Sequence, residues 1–423
     1  MNRATNSAGL NIAASDGQGK TGAEWVACPD CGLGQHVPPL AIGHLASCSR
    51  CHCTLAANPG YSLNTVLAVA VAGLILLPFA ILSPLFSLFA YGGMRQSWIY
   101  GGAQELWREG FFFLAAIVDG FSIAAPLAYL VLLVAVLSVI GLRAKPAWLG
   151  PAFRWSQWLR SWAMPEIFVV GGFVAYSRME KIASVKIGYG SWAFLAASLA
   201  FLAIDFLLDR RAVWREIGPD SDSNPSPNAI ACRACALLVP RASDGEHCPR
   251  CGASLHHRKP QALARTSALV IAAYLLYIPA NLLPVLTIEN HGTVKSDTIM
   301  AGVKALADIG AWPLAVIVFV ASIMVPLIKL LSLTWFLTAE MSAAHQLPVV
   351  RTRLHEIVNN IGRWSNIDVF MGSILVALVQ FGVLYNVTAG RGATYFATVV
   401  LITMIASRCF DPRLMWDSKE SKP

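Results

Sequence analysis

The chain has 423 residues, of which 56% are hydrophobic and only 13% charged. Soluble domains run about 45–50% apolar and about 25% charged, so much of this chain avoids water and an ordinary soluble enzyme is excluded. The formal net charge of +8 would fit a nucleic-acid binder, but the distribution of the basic residues argues against one.

Residues 1–24 are rich in Asn, Ser, Ala and Gly without an apolar core, which predicts a disordered tail rather than a signal peptide. Residues 25–58 carry Cys28-x2-Cys31 and Cys48-x2-Cys51. A C-x2-C knuckle aims two thiolates at one ion, and two knuckles complete a tetrahedral cage, so this segment predicts a small four-cysteine β ribbon folded by metal. Residues 59–215 then hold runs long enough to cross a bilayer, which takes about 20 apolar residues. We expect spans at about 63–90, 111–142, 166–185 and 190–208. A polar linker rich in Pro and Ser occupies 216–229.

The same order returns. Residues 230–258 hold Cys232, Cys235, Cys248 and Cys251 in a second ribbon, and 259–417 hold expected spans at 266–288, 311–339, 367–388 and 393–409; 418–423 form a tail. Gly102, Gly110 and Pro126 recur as Gly302, Gly310 and Pro326 at an offset of 200. Trp162, Phe168, Asp209, Arg211 and Trp214 recur as Trp364, Phe370, Asp411, Arg413 and Trp416 at an offset of 202. Such steady offsets mark an internal duplication. The expected fold is therefore an all-α polytopic membrane protein of two tandem repeats, each a four-cysteine zinc ribbon followed by a four-helix bundle, with about eight spans. An even number of spans per half gives both halves one orientation. Pro78 and Pro84, like Pro279 and Pro284, fall inside the first expected span of their half, as packing kinks or as breaks lining a pathway.

With eight spans, 23 Lys and Arg lie on the side of the termini and ribbons and 8 on the other. Basic loops favour the cytoplasm, so both termini and both ribbons are expected there. That compartment counts against disulfides between the ribbon cysteines. Two structural zinc ions fit the cages; iron suits the same four sulfurs and is the alternative. Cys53 aligns with Ala253, so Cys53 and Cys409 are expected to be ordinary thiols. A filled four-cysteine cage has no open position for hydrolysis. No phosphate-binding loop and no nucleophile setting is found, and enzyme activity has no support in the sequence.

Lys329 sits deep in the sixth expected span, where a charge is costly and marks a functional candidate. Ser322, Pro326 and Lys329 share a helix face, with Asp368 and Thr403 as candidate partners. A structural pin between two helices and a polar or proton-sensitive pathway are both open. Tyr129 replaces the lysine in the first half, so the second half is the more promising functional bundle.

Both ribbons, Pro279-Ala-Asn-Leu-Leu-Pro284, Ser322 to Lys329, Gly362-Arg-Trp-Ser365-Asn-Ile-Asp368-Val-Phe and Phe410-Asp-Pro-Arg-Leu-Met-Trp-Asp417 resemble those of the paraquat-inducible protein A family. The resemblance covers nearly the whole chain after residue 25. It implies the inner membrane of a Gram-negative bacterium, a periplasmic MCE-domain tunnel protein as partner, and movement of phospholipid or another lipophile. The expected pathway residues are Ser322, Pro326, Lys329, Ser365, Asp368 and Thr403. Two other readings stay open: a redox protein with iron in the ribbons, and a metal-dependent membrane scaffold.

Overall fold

The computed structural model describes residues 24–90, 93–180, 184–218, 229–239, 245–290, 293–308, 310–341, 347–378 and 385–417. Almost all of the expected N-terminal tail, most of the linker and the C-terminal tail lie outside them.

The first ribbon is two antiparallel hairpins, β1 (Glu24–Ala27) with β2 (Gly34–Val37) and β3 (Leu45–Ser47) with β4 (Thr54–Ala57). Helix α1 (Leu63–Leu82) follows, opened by Ser62, whose hydroxyl accepts from the Thr65 amide. Then come β5 (Phe86–Ala90), β6 (Gly93–Ser97), the amphipathic α2 (Gly101–Arg108) and α3 (Phe112–Asp119). A π turn, Gly120–Ala124, joins α3 to α4 (Ala125–Gly141) in one 30-residue rod. Helix α5 (Leu149–Arg160) lies between that rod and α6 (Pro165–Met179); β7 (Ser184–Ile187), α7 (Tyr189–Leu207) and α8 (Arg210–Ile217) complete the half.

The second half repeats the plan. Its ribbon has β8 (Ile230–Ala231) and β9 (Leu238–Val239), with a single bridge between His247 and Ser254. Helix α9 (Ala262–Leu282), β10 (Leu286–Asn290), β11 (Thr293–Asp297), α10 (Ile299–Asp308) and α11 (Trp312–Phe319) follow. A π turn at Val320–Met324 leads into α12 (Val325–Met341). Helix α13 (Pro348–Ile361) runs through a 3₁₀ turn, Gly362–Asn366, into α14 (Ile367–Leu378); β12 (Tyr385–Ala389), α15 (Arg391–Cys409) and α16 (Leu414–Asp417) end it. The two π turns stand 200 residues apart, as the sequence offset requires.

The all-α expectation needs correction. Each bundle is capped, at the end where its first helix stops, by a three-stranded antiparallel sheet of order β6-β5-β7 or β11-β10-β12. The ends of four expected spans are these strands. Pro84 and Pro284 are the reason: the residue before a proline is pushed out of the α region, and Ser83 and Leu283 are extended, with ψ of 147° and 150°. Pro78 and Pro279 are inside their helices, whereas Pro84 and Pro284 end them rather than kink them.

Among the described residues, six helical segments are long and apolar enough to cross a membrane: 63–82, 112–141, 189–207, 262–282, 312–341 and 391–417. Their outer faces are greasy, with Leu82 80% and Phe206 79% exposed. In water such faces would be costly; against lipid they are not. The other two expected spans, now α6 and α14, are 15 and 12 residues long. They pack on each other at the centre of the molecule, where Phe168 meets its own repeat partner, Phe370, at 5.4 Å. A Cβ at Gly171 would stand 3.1 Å from the Phe370 Cβ, so glycine permits the close crossing. A residue touching its repeat partner places a pseudo-two-fold axis between the halves.

Candidate metal centres and a buried lysine

Each ribbon brings its four cysteines together. The Sγ atoms of Cys28, Cys31, Cys48 and Cys51 lie within 4.8 Å of one another, as do those of Cys232, Cys235, Cys248 and Cys251, and all eight residues are buried. Cys31–Cys48 is 3.5 Å and Cys232–Cys251 is 3.5 Å between sulfurs. Tetrahedral Zn–S bonds of about 2.3 Å put sulfurs about 3.8 Å apart, whereas a disulfide holds them at about 2.05 Å. Backbone amides point at the thiols, Cys31 N to Cys28 Sγ at 3.4 Å and Arg50 N to Cys48 Sγ at 3.5 Å. Donors of that kind favour thiolates. Both cages could therefore hold a metal ion. Cys53 is a surprise of packing, with its sulfur 3.2 Å from Cys28 Sγ. Its carbonyl accepts from the Cys48 amide as that of Ala253 does from Cys248, so the backbone role is shared and only the thiol differs.

The ribbons dock crosswise. The cysteines of the first ribbon form one buried cluster with Phe336, Phe410 and Trp416 of the second half, and Arg50 stacks over Trp416 at 4.6 Å. The second ribbon sits on the first half: a Cβ at Gly252 would stand 3.7 Å from the Pro151 ring, and one at Gly150 would overlap the Arg250 carbonyl. It also reaches the C-terminal helix, through Arg233 to Asp411 at 3.1 Å and Arg258 to Asp417.

In the second bundle Ser322, Lys329, Ser365, Asp368 and Thr403 are all buried, and Pro326 with them. The Lys329 ammonium donates to the Thr403 hydroxyl at 3.4 Å, so of its two expected partners the hydroxyl, not the Asp368 carboxylate, receives the hydrogen bond. Among the described residues no ion pair to Lys329 is present within 4.0 Å. Gly362, which sequence reasoning passed over, makes the room: a Cβ there would stand 2.5 Å from Nζ.

The first half fills the equivalent space differently. Its repeat partner of Gly362 is Arg160, and Phe201 and Tyr129 stand for Thr403 and Lys329. Arg160 pairs with Asp205 at 2.6 Å and Glu166 at 3.1 Å and donates to the Ala163 carbonyl at 2.8 Å. Arg363 reaches across the pseudo-axis to Glu166 at 2.9 Å. One half thus carries a neutralised, fully bonded cation and the other a cation held by a hydroxyl. The offset of 202 was the available signal.

The second bundle also holds an apolar cavity of about 360 Å³, between the β10–β12 sheet, α10 and α14. Leu286, Ile299, Leu306, Val318 and Met371 line it, with two acids, Asp297 and Asp368, in its wall.

The family description "Paraquat-inducible protein A" matches the chain twice, over residues 63–218 and 263–420. The chain belongs to the paraquat-inducible protein A family. The two matched stretches are the two helical halves without their ribbons. Intermembrane transport protein PqiA of Escherichia coli K12 is 29% identical over 405 residues, 93% of this chain and 96% of that protein. A probable intermembrane transport protein of Haemophilus influenzae Rd is 28% identical over 92% and 95%. Lipophilic envelope-spanning tunnel protein A of Escherichia coli K12 is 29% identical over 93% and 91%. No solved structure matches. The chain is thus a membrane protein whose relatives in this family carry intermembrane-transport names.

Proposed function

We propose that the protein is a non-enzymatic inner-membrane component of an intermembrane transport system, passing phospholipid or another lipophile to or from a periplasmic MCE-domain tunnel protein. The observations that carry this reading are an apolar cavity that Asp368 lines and, in the same bundle, a buried, hydroxyl-held ammonium. An acyl chain needs dry apolar walls, and a lipid headgroup needs fixed polar groups next to them. Ser322, Pro326, Lys329, Ser365, Asp368 and Thr403 form the polar side of that path. A buried ammonium without a carboxylate in contact is free to take a headgroup phosphate or to hand on a proton.

The chain would cross the membrane eight times, with the short α6 and α14 shielded at the centre and both termini and both ribbons in the cytoplasm. Domain limits follow the sequence reading: ribbons at 25–58 and 230–258, bundles at 59–215 and 259–417. The ribbons would each hold one zinc ion as a folding centre that braces the bundles. Lys329→Ala should abolish envelope-barrier function in cells while leaving protein level and metal content intact; full activity would sink the reading. Metal analysis of the purified chain tests the ribbons. Two zinc ions per chain support it, whereas two iron ions with a reversible one-electron signal support the redox alternative.

A further inference from the structure

The first half carries a second cavity, about 480 Å³, in the groove between α2 and α3 at the end of the bundle opposite the ribbons. Tyr100, Gln104, Trp107 and Arg108 line it from α2, and Asp119 from the end of α3. Its walls mix two kinds of group. Trp107 is 58% and Tyr100 38% exposed, ring faces of the kind that attract organic cations. Asp119 is half-buried, and among the described residues its Oδ1 has no hydrogen-bond partner. Arg108 faces the same cavity without closing on Asp119; Glu105 holds it at 3.0 Å instead. A carboxylate and a guanidinium that line one cavity without pairing, together with aromatic rings, suit a dipolar ligand.

The duplication supplies an independent observation. Gly102, Gly110 and Pro126 keep the offset of 200 on both sides of this groove, so the backbone plan is common to the halves. Yet Tyr100, Gln104, Trp107, Arg108 and Asp119 become Met300, Lys304, Ala307, Asp308 and Phe319. The aromatic faces and the carboxylate vanish together, and the guanidinium is replaced by an acid. Packing alone would not require an aspartate on an otherwise apolar span, where a charge is expensive.

We propose that this groove is a headgroup site for a zwitterionic aminophospholipid, separate from the second-half pathway. Asp119 and the Trp107 ring take the ammonium, while Arg108 and Gln104 take the phosphate. The acyl chains run along the exposed apolar face that Phe112 and Phe113 present. The site needs no transport to be occupied, so it stands or falls apart from the function proposed above.

The test is native mass spectrometry of the full chain released from membranes of equal phosphatidylethanolamine and phosphatidylglycerol content. Phosphatidylethanolamine should be retained about tenfold over phosphatidylglycerol, the ratio expected of one hydrogen bond between charged groups. Asp119→Asn should bring the two lipids near parity. Equal retention by the native chain or an unchanged preference in Asp119→Asn would each overturn the proposal. If Asp119→Asn loses metal or melts early, Trp107→Leu on the exposed face replaces it. A halved or smaller preference supports the site, and an unchanged one overturns it.

Discussion

Lys329 and Gly362 form a matched pair, because the missing side chain of one is the space used by the other. Gly362→Ala should therefore displace the ammonium and lower transport as Lys329→Ala does, while metal content stays native; normal transport would show that the lysine's position is immaterial. A buried charge with one neutral partner costs stability, and an apolar side chain of like size recovers it. Lys329→Met should then melt at the same or a higher temperature than the native chain, though inactive. Arg160 is the opposite case. Arg160→Ala would strand Asp205 and leave Glu166 to Arg363 alone, and breaking a buried pair on one side costs about 3–5 kcal/mol. The low end is expected, since Asp205 is 34% exposed. Thermal unfolding reads this directly, and a loss under about 1 kcal/mol would deny the cluster a structural role.

Among the elements, α13 carries the clearest pH dependence. His355 packs against Phe336 at 5.9 Å and Phe410 at 5.6 Å between ring centroids. Burial pushes its pKa down from 6.5 to about 4, with Lys259 and Arg233 adding to the shift. Unfolded chain binds this proton below pH 6.5 and folded chain only near 4, so stability falls as pH drops through that window and is flat above it. His355→Phe keeps the aromatic packing and removes the proton. Melting curves from pH 7 to 4 should therefore slope less for the variant than for the native chain; parallel slopes would mean the ring is not buried neutral. Lys259 acts with the same sign at higher pH. Its pKa is lowered to about 8 by burial, so the folded lysine sheds its proton first and stability rises as pH increases from about 8 to 10.5.

For the whole molecule, the crosswise ribbons tie the halves together. Each ribbon has little core of its own, so a metal in its cage would fold it, and the ribbon covers the far half. Cys48→Ser should raise hydrogen exchange in α13 and α16 of the second half. Cys248→Ser should do so in α5 and α8 of the first. Exchange confined to the ribbon's own half in both variants would refute the exchange of partners. A strong chelator should loosen both regions together and lower the melting temperature.

Composition, apolar runs and the two offsets determined the class of this protein, its duplication and its two four-cysteine cages, because each is local or periodic along the chain. Lys329 was legible for the same reason, as one charge in a long apolar run. The sheets were not: β5 and β10 are apolar enough to pass as helix ends until the proline before each is given its steric weight. Only tertiary structure decided that Thr403 receives the Lys329 proton, that Gly362 yields its space, that Arg160 neutralises the first half's acids, and that each ribbon sits on the other half. The first three depend on which side chains meet within a half, and the last on which surfaces meet across a pseudo-two-fold axis. Contacts between residues 200 apart in sequence leave no period or spacing to read.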